Sequence, residues 1–176
     1  MSVHLFTEFY AKYFDLIRDE KINLLEIGIA YGGSLRMWKE YFYNGNIYGI
    51  DVLSSSMFEE ERISTNLISQ TDFELLKSTF KDIKFDIIID DGSHMTSHQI
   101  NSFNGMKEFL KPGGYYVVED LQTSFMPSYI DSNVTAFEFL KNINPDDYGI
   151  EYIEFFHNMD TIANVDCITA LIKYKN

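Results

Sequence analysis

The residues best suited to chemistry gather in one stretch, Phe85-Asp86-Ile87-Ile88-Ile89-Asp90-Asp91-Gly92-Ser93-His94. Its three consecutive isoleucines read as a strand buried on both faces of a parallel sheet. The run ends on two carboxylates, a glycine and a histidine. A second apolar run, Tyr115-Tyr116-Val117-Val118, also ends on acids, Glu119-Asp120. Neighbouring parallel strands lie about 4.8 Å apart. If these two are neighbours, Asp91, Glu119 and Asp120 converge, and that much negative charge is costly unless a cation relieves it. A hard divalent ion such as Mg²⁺ takes oxygen ligands and keeps positions open for water or substrate. His94 follows closely, and an imidazole of ordinary pKa, about 6.5, suits a general base at neutral pH. The pattern therefore points to a metal-bound hydroxyl that loses its proton to His94. The competing reading of Asp90-Asp91-Gly92 is a plain turn capping the next helix. Acids at two separate strand tips argue against it. His98, one helical turn further on, is either a supporting residue or simply part of a helix start.

These side chains need a sheet to position them. Leu24-Leu25-Glu26-Ile27-Gly28-Ile29 is an apolar strand that runs through Ala30-Tyr31-Gly32-Gly33 into a helix from Ser34 to Tyr43. Strand, glycine-rich turn and helix open a nucleotide-cofactor fold. The glycines let backbone approach a ligand, and the helix start offers unpaired N–H donors. The next strand, Asn46 to Val52, carries Asp51 near its end, where a carboxylate can accept both hydroxyls of a ribose. A dinucleotide fingerprint wants glycine where Ala30 stands, and bulky Tyr31 follows. That disfavours a pyrophosphate, and a dehydrogenase with it, and suits a cofactor without phosphate such as S-adenosylmethionine.

Around this frame, Phe6 to Ile17 reads as an amphipathic helix with an aromatic face for core packing. Ser54 to Glu61 reads as a short, acidic, solvated helix, and Asn66 to Ile68 as a short strand. Asp72 is placed to cap a helix from Phe73 to Phe80. A helix from Ser97 to Leu110 is stopped by Lys111-Pro112-Gly113-Gly114. Asn133 to Leu140 is helical, and Tyr152 to Phe156 and Ala170 to Tyr174 are two final strands. The alternation predicts one domain over residues 1–176. Its fold is α/β, a Rossmann-like three-layer sandwich with a mostly parallel seven-stranded sheet and an antiparallel C-terminal hairpin.

Composition narrows the partners. Fourteen Lys and Arg against 27 Asp and Glu give a net charge of −13, which disfavours a nucleic-acid substrate. The single cysteine, Cys167, sits in an apolar run and reads as a buried, inert thiol, so no disulfide framework is expected. Neither a signal peptide nor an apolar run near the ~20 residues of a membrane span is evident, which implies a cytoplasmic chain without a membrane partner. The abundant aromatics would suit a homo-oligomer.

The blocks Leu25-Glu26-Ile27-Gly28, Gly32-Gly33-Ser34-Leu35-Arg36-Met37-Trp38, Ile47-Tyr48-Gly49-Ile50-Asp51, Asp90-Asp91-Gly92-Ser93-His94 and Gly113-Gly114-Tyr115-Tyr116-Val117-Val118-Glu119-Asp120, in that order, resemble the macrocin/mycinamicin-type sugar O-methyltransferases. The resemblance implies a class I S-adenosylmethionine-dependent methyltransferase that uses Mg²⁺ and acts on a sugar hydroxyl. It implies Asp91, Glu119 and Asp120 as metal ligands and His94 as the catalytic base. It further implies His4, Glu26, Gly28, Gly32, Ser34, Asp51, Ser69, Gln70 and Asp90 as cofactor contacts, with Gln70 at the adenine. Two alternatives stay open: a phenol or polyketide hydroxyl as acceptor, and a cofactor-binding subunit without catalysis. The intact acids and His94 argue against the second.

Overall fold

The computed structural model describes residues 6–160 and 165–176, with side chains described over 9–157 and 167–176. His4 lies outside the described residues. The strands are β1 (Asn23–Ile27), β2 (Asn46–Asp51), β3 (Glu59–Glu60), β4 (Ile63–Leu67), β5 (Phe85–Asp90), β6 (Leu110–Val118), β7 (Ile150–Asp160) and β8 (Val165–Tyr174). They form one sheet in the order β3-β4-β2-β1-β5-β6-β8-β7. The four pairings among β4, β2, β1, β5 and β6 are parallel, whereas β8 and β7 close the sheet antiparallel. The seven expected strands are present. The eighth, β3, replaces the helix expected over Ser54 to Glu61, of which only a 3₁₀ turn at Ser54–Ser56 forms. Arg62 at φ 64° turns the chain back sharply. Glu60 is then held by Arg36 at 2.7 Å and Lys39 at 3.6 Å, so the acidic segment is paired along the sheet edge.

The helices are α1 (Phe6–Phe14), α2 (Gly33–Tyr41), α3 (Phe73–Phe80), α4 (Thr96–Met106), α5 (Ala136–Asn142) and the short α6 (Pro145–Tyr148). Side chains of a strand point alternately to its two faces, and here both faces are apolar. Ile87 and Ile89 pack with Phe9, Tyr13 and Phe14 of α1 and Leu35 and Trp38 of α2. Ile88 packs on the other face with Leu76 and Phe80 of α3, Phe103 of α4 and Leu140 of α5. Two helical layers therefore sandwich the sheet. As expected, Asp72 caps α3, accepting the Leu75 N–H at 3.1 Å. The Lys111-Pro112-Gly113-Gly114 breaker lies inside β6. Leu110 pairs with Phe85 and Tyr115 with Ile87, so these residues bulge opposite Asp86, whose carboxylate Lys111 grips at 2.8 Å. Cys167 is half-buried, a correction to the expectation of a buried thiol. It lies in the part of β8 that has run past the tip of β6, where the strand pairs with β7 and Gln122 accepts the neighbouring Ile168 N–H at 2.9 Å.

This topology sets the site. The chain builds outward from β1 to β2 and β4, then returns to lay β5 against the other side of β1. The strand order reverses between β1 and β5, and the crevice beyond their carboxyl ends is where such sheets bind ligands.

Candidate active site

At the switch point the tips of β1 and β5 touch. Gly28 has φ 90°, and a Cβ there would sit 2.1 Å from the Asp91 carbonyl oxygen. A side chain is therefore excluded where the two tips meet. Gly32 follows at φ 73° and opens α2. Asp51, at the tip of β2, accepts N–H groups from Ile29 at 2.9 Å, Ala30 at 3.3 Å and Leu53 at 2.9 Å. Burial alone would raise its pKa, but these donors outweigh it and hold the carboxylate below its usual range. Glu26 lies inside β1. It accepts the Ser34 hydroxyl and the Trp38 indole N–H, the latter at 2.8 Å. Burial pushes it up to about 8 despite these donors. Tyr31, Val52, Leu53 and Leu67 are exposed around the tips of β1, β2 and β4, an apolar rim at a sheet end that is otherwise polar.

Gln70 and Asp90 form a buried pair. The Gln70 amide donates to both Asp90 oxygens, at 3.1 and 3.3 Å, and to Ser102 Oγ at 2.9 Å, while its carbonyl accepts the Ser93 N–H at 3.0 Å. Tyr116 adds a donor to Asp90 at 3.2 Å. Asp90 has no exposed surface, and burial pushes it up to about 7. In this state the pair shapes the Asp91–His94 loop from beneath. Ser69 sits beside it, half-buried, 3.0 Å from the Thr71 hydroxyl.

The acidic tips meet as β5 and β6 pair, Asp90 opposite Val118. Asp91, His94 and Asp120 each offer a ligand atom, all within 4.8 Å of one another. Nε2 of His94 is 3.7 Å from an Asp120 oxygen, and its Nδ1 is buried without a hydrogen-bond partner. Both His94 and Asp120 adopt left-handed backbone, φ 57° and 54°, a conformation that costs of order 1 kcal/mol or more for such residues and clusters at functional sites. Thr123 bridges them: its hydroxyl lies 2.7 Å from the Asp120 carbonyl and 3.3 Å from that of His94. Burial lowers the His94 pKa, partly opposed by Asp120, so the imidazole is neutral near pH 7. Burial and the charges of Glu119, Asp120 and Glu26 push Asp91 well up. Among the described residues no lysine or arginine pairs with Glu26, Asp91, Glu119 or Asp120. Four acids without a cation, beside an imidazole, suit a hard divalent ion. His98, which in sequence reads as either a supporting residue or part of a helix start, lies 2.7 Å from Ser93 Oγ in the same loop.

A family model described as FtsJ-like methyltransferase matches residues 7–151. The chain belongs to the FtsJ-like methyltransferase family. Its relatives include the 8-demethyl-8-alpha-L-rhamnosyl tetracenomycin-C 2'-O-methyltransferase of Streptomyces olivaceus, 40% identical over 163 residues, covering 86% of this chain and 43% of that one. The demethylmacrocin O-methyltransferase of Streptomyces fradiae is 43% identical over 136 residues, covering 73% of this chain and 34% of its own. The MycE methyltransferase from the mycinamycin biosynthetic pathway, solved with Mg, SAH and mycinamycin VI, superposes with a TM-score of 0.82 at 32% identity, over 99% of this chain and 51% of that one. The expected resemblance to sugar O-methyltransferases is thus borne out. The chain spans about half the length of the solved relative and less than half that of these two curated ones. Among the described residues of this FtsJ-like methyltransferase, no helix is long and apolar enough to cross a membrane.

Two features of the site escaped the sequence. Glu119 does not stand with Asp91, His94 and Asp120 in the compact group. It accepts a hydrogen bond from Tyr10 of α1. Tyr10 reads in sequence as one aromatic of a packing face, and nothing local signals a partner 109 residues away. Thr123, past the acidic tip, carries no motif at all.

Proposed function

We propose that this chain forms the catalytic domain of a methyltransferase that moves the methyl group of S-adenosylmethionine to a sugar hydroxyl with the aid of Mg²⁺. The observation that carries the reading is the convergence of Asp91, His94 and Asp120 within 4.8 Å beside the β1–β5 crevice. Asp91 and Asp120 would hold the ion, with Glu119 adjoining. The crevice suits the donor, because its apolar rim matches an adenine and Asp51 matches a ribose. Glu26, Gly28, Gly32, Ser34, Ser69, Gln70 and Asp90 serve the same end, the buried ones by fixing the loops that line it. When bound, the two groups supply an electrophilic methyl and a Lewis acid that acidifies a coordinated hydroxyl. His94 takes the hydroxyl proton at Nε2, since Nδ1 faces the interior. Its lowered pKa keeps that nitrogen free to accept. A sugar acceptor is supported by the relatives named above. The net charge of −13 supports an acceptor that is not a nucleic acid, and the mechanism fits a cytoplasmic enzyme.

The test uses the purified chain, labelled S-adenosylmethionine and a panel of glycosides. Chelation by EDTA should abolish transfer while S-adenosylhomocysteine still binds, and Mg²⁺ should restore it. His94→Ala should lower kcat by about 10²–10⁴-fold with little change in donor affinity. Transfer that survives chelation would overturn the metal reading. An unchanged rate in the variant would move the base elsewhere.

A further inference from the structure

Glu119 is fixed from three directions. Its N–H donates to the Asp90 carbonyl at 2.9 Å, and its own carbonyl accepts the Gln99 amide at 3.0 Å. Those bonds settle the backbone but leave the side chain free to rotate. The third restraint is the Tyr10 hydroxyl, which donates to Oε1 of Glu119. The other carboxylate oxygen, Oε2, has no donor among the described residues. Glu119 directly precedes Asp120 beyond the tip of β6, so the tether decides whether its carboxylate faces that group or turns from it.

The phenol that supplies the tether is rigid. Tyr10 is buried, 4% exposed. Its ring stacks on Phe14 at 5.5 Å and meets the Trp38 edge at 5.0 Å. Trp38 is in turn anchored to Glu26. A tyrosine used for packing alone gains nothing from a hydroxyl aimed at a half-buried carboxylate. Here the hydroxyl occupies one oxygen and leaves the other for a ligand.

We propose that Tyr10 is a positioning residue of the metal site: by holding Oε1 of Glu119, it presents Oε2 to the cation gathered by Asp91 and Asp120. This rests on the Mg²⁺ reading given above. Hydrogen-bonding partners of ligating groups typically govern affinity or activity by about 10–100-fold when removed.

The experiment compares wild type, Tyr10→Phe and Glu119→Gln. Tyr10→Phe deletes the hydroxyl and keeps the ring contacts. Mg²⁺ alone is titrated calorimetrically into each purified chain with S-adenosylhomocysteine held saturating. Methyl transfer is then followed against Mg²⁺ concentration. Tyr10→Phe should bind Mg²⁺ about 10–100-fold more weakly, lower the rate at limiting Mg²⁺, recover it at high Mg²⁺, and leave the KM for the donor unchanged. Glu119→Gln, which disturbs no aromatic contact, should lose Mg²⁺ affinity comparably, and adding Tyr10→Phe to it should cost nothing more. If wild type and Tyr10→Phe bind Mg²⁺ equally, Tyr10 is a packing residue and this assignment falls alone. If the wild-type chain binds no Mg²⁺, the metal reading falls and takes the assignment with it.

Discussion

Replacing Gly28 with alanine tests the geometry on which the site depends. At φ 90° an added Cβ meets the Asp91 carbonyl oxygen at 2.1 Å and its carbon at 2.8 Å. Both are backbone atoms of the neighbouring strand tip, so no side chain can swing aside. The backbone conformation costs about 1–2 kcal/mol for an L residue, and forcing two packed segments apart typically costs about 1–3 kcal/mol. The sum, about 2–5 kcal/mol, corresponds to a fall in Tm of roughly 5–15 °C in a domain of this size. The displaced residue is Asp91 itself, and a misplacement of about 1 Å at a reacting centre can cost 10²-fold. Thermal unfolding should therefore show the Tm loss, while Mg²⁺ titration and transfer assays should show a deficit beyond what stability explains. Gly33→Ala is the control. It lies in the same glycine-rich turn, yet a Cβ there meets nothing within 4 Å, and its φ is not positive. Within the first turn of α2, alanine should be neutral or slightly stabilising. The reasoning is refuted if Gly28→Ala melts within about 2 °C of wild type and binds Mg²⁺ as tightly, or if the two variants behave alike.

Two further outcomes follow from the same structure. Glu26 has a folded pKa raised from 4.5 to about 8 by burial, so the folded chain holds a proton that the unfolded chain releases. Stability should therefore fall as pH rises from about 5 to 8, with a slope of up to about 1.4 kcal/mol per pH unit from this group, and Glu26→Gln should flatten that part of the curve in denaturant titrations. Thr123→Val removes the hydroxyl beneath the Asp120 and His94 carbonyls. It should cost about 1–2 kcal/mol and lower the transfer rate, whereas Thr123→Ser should retain both, as measured by urea unfolding and steady-state kinetics.

The sequence by itself determined the layers of this protein and the kind of chemistry at its edge. Runs such as Ile87-Ile88-Ile89 bury both faces whatever the surroundings, because apolar surface on two sides leaves no solvent face. The breakers between them, together with the Asp72 cap, then mark where strands and helices change over. Acids at the ends of two such runs are legible for the same reason: they stand one and two residues beyond apolar segments whose extent the pattern defines. The tertiary structure decided which of these groups meet. Strand order brought Asp91 to Asp120, and His94 and Asp120, both in left-handed backbone, converge with it on one point. Gly28 and Gly33 look equivalent in sequence, but only Gly28 faces another strand. Glu119 reaches α1, and Tyr10 becomes part of the site, because a hydrogen bond between residues 109 positions apart depends on how a helix packs across a sheet. Local patterns report the period of burial along one element, and carry no record of which distant side chain completes a contact.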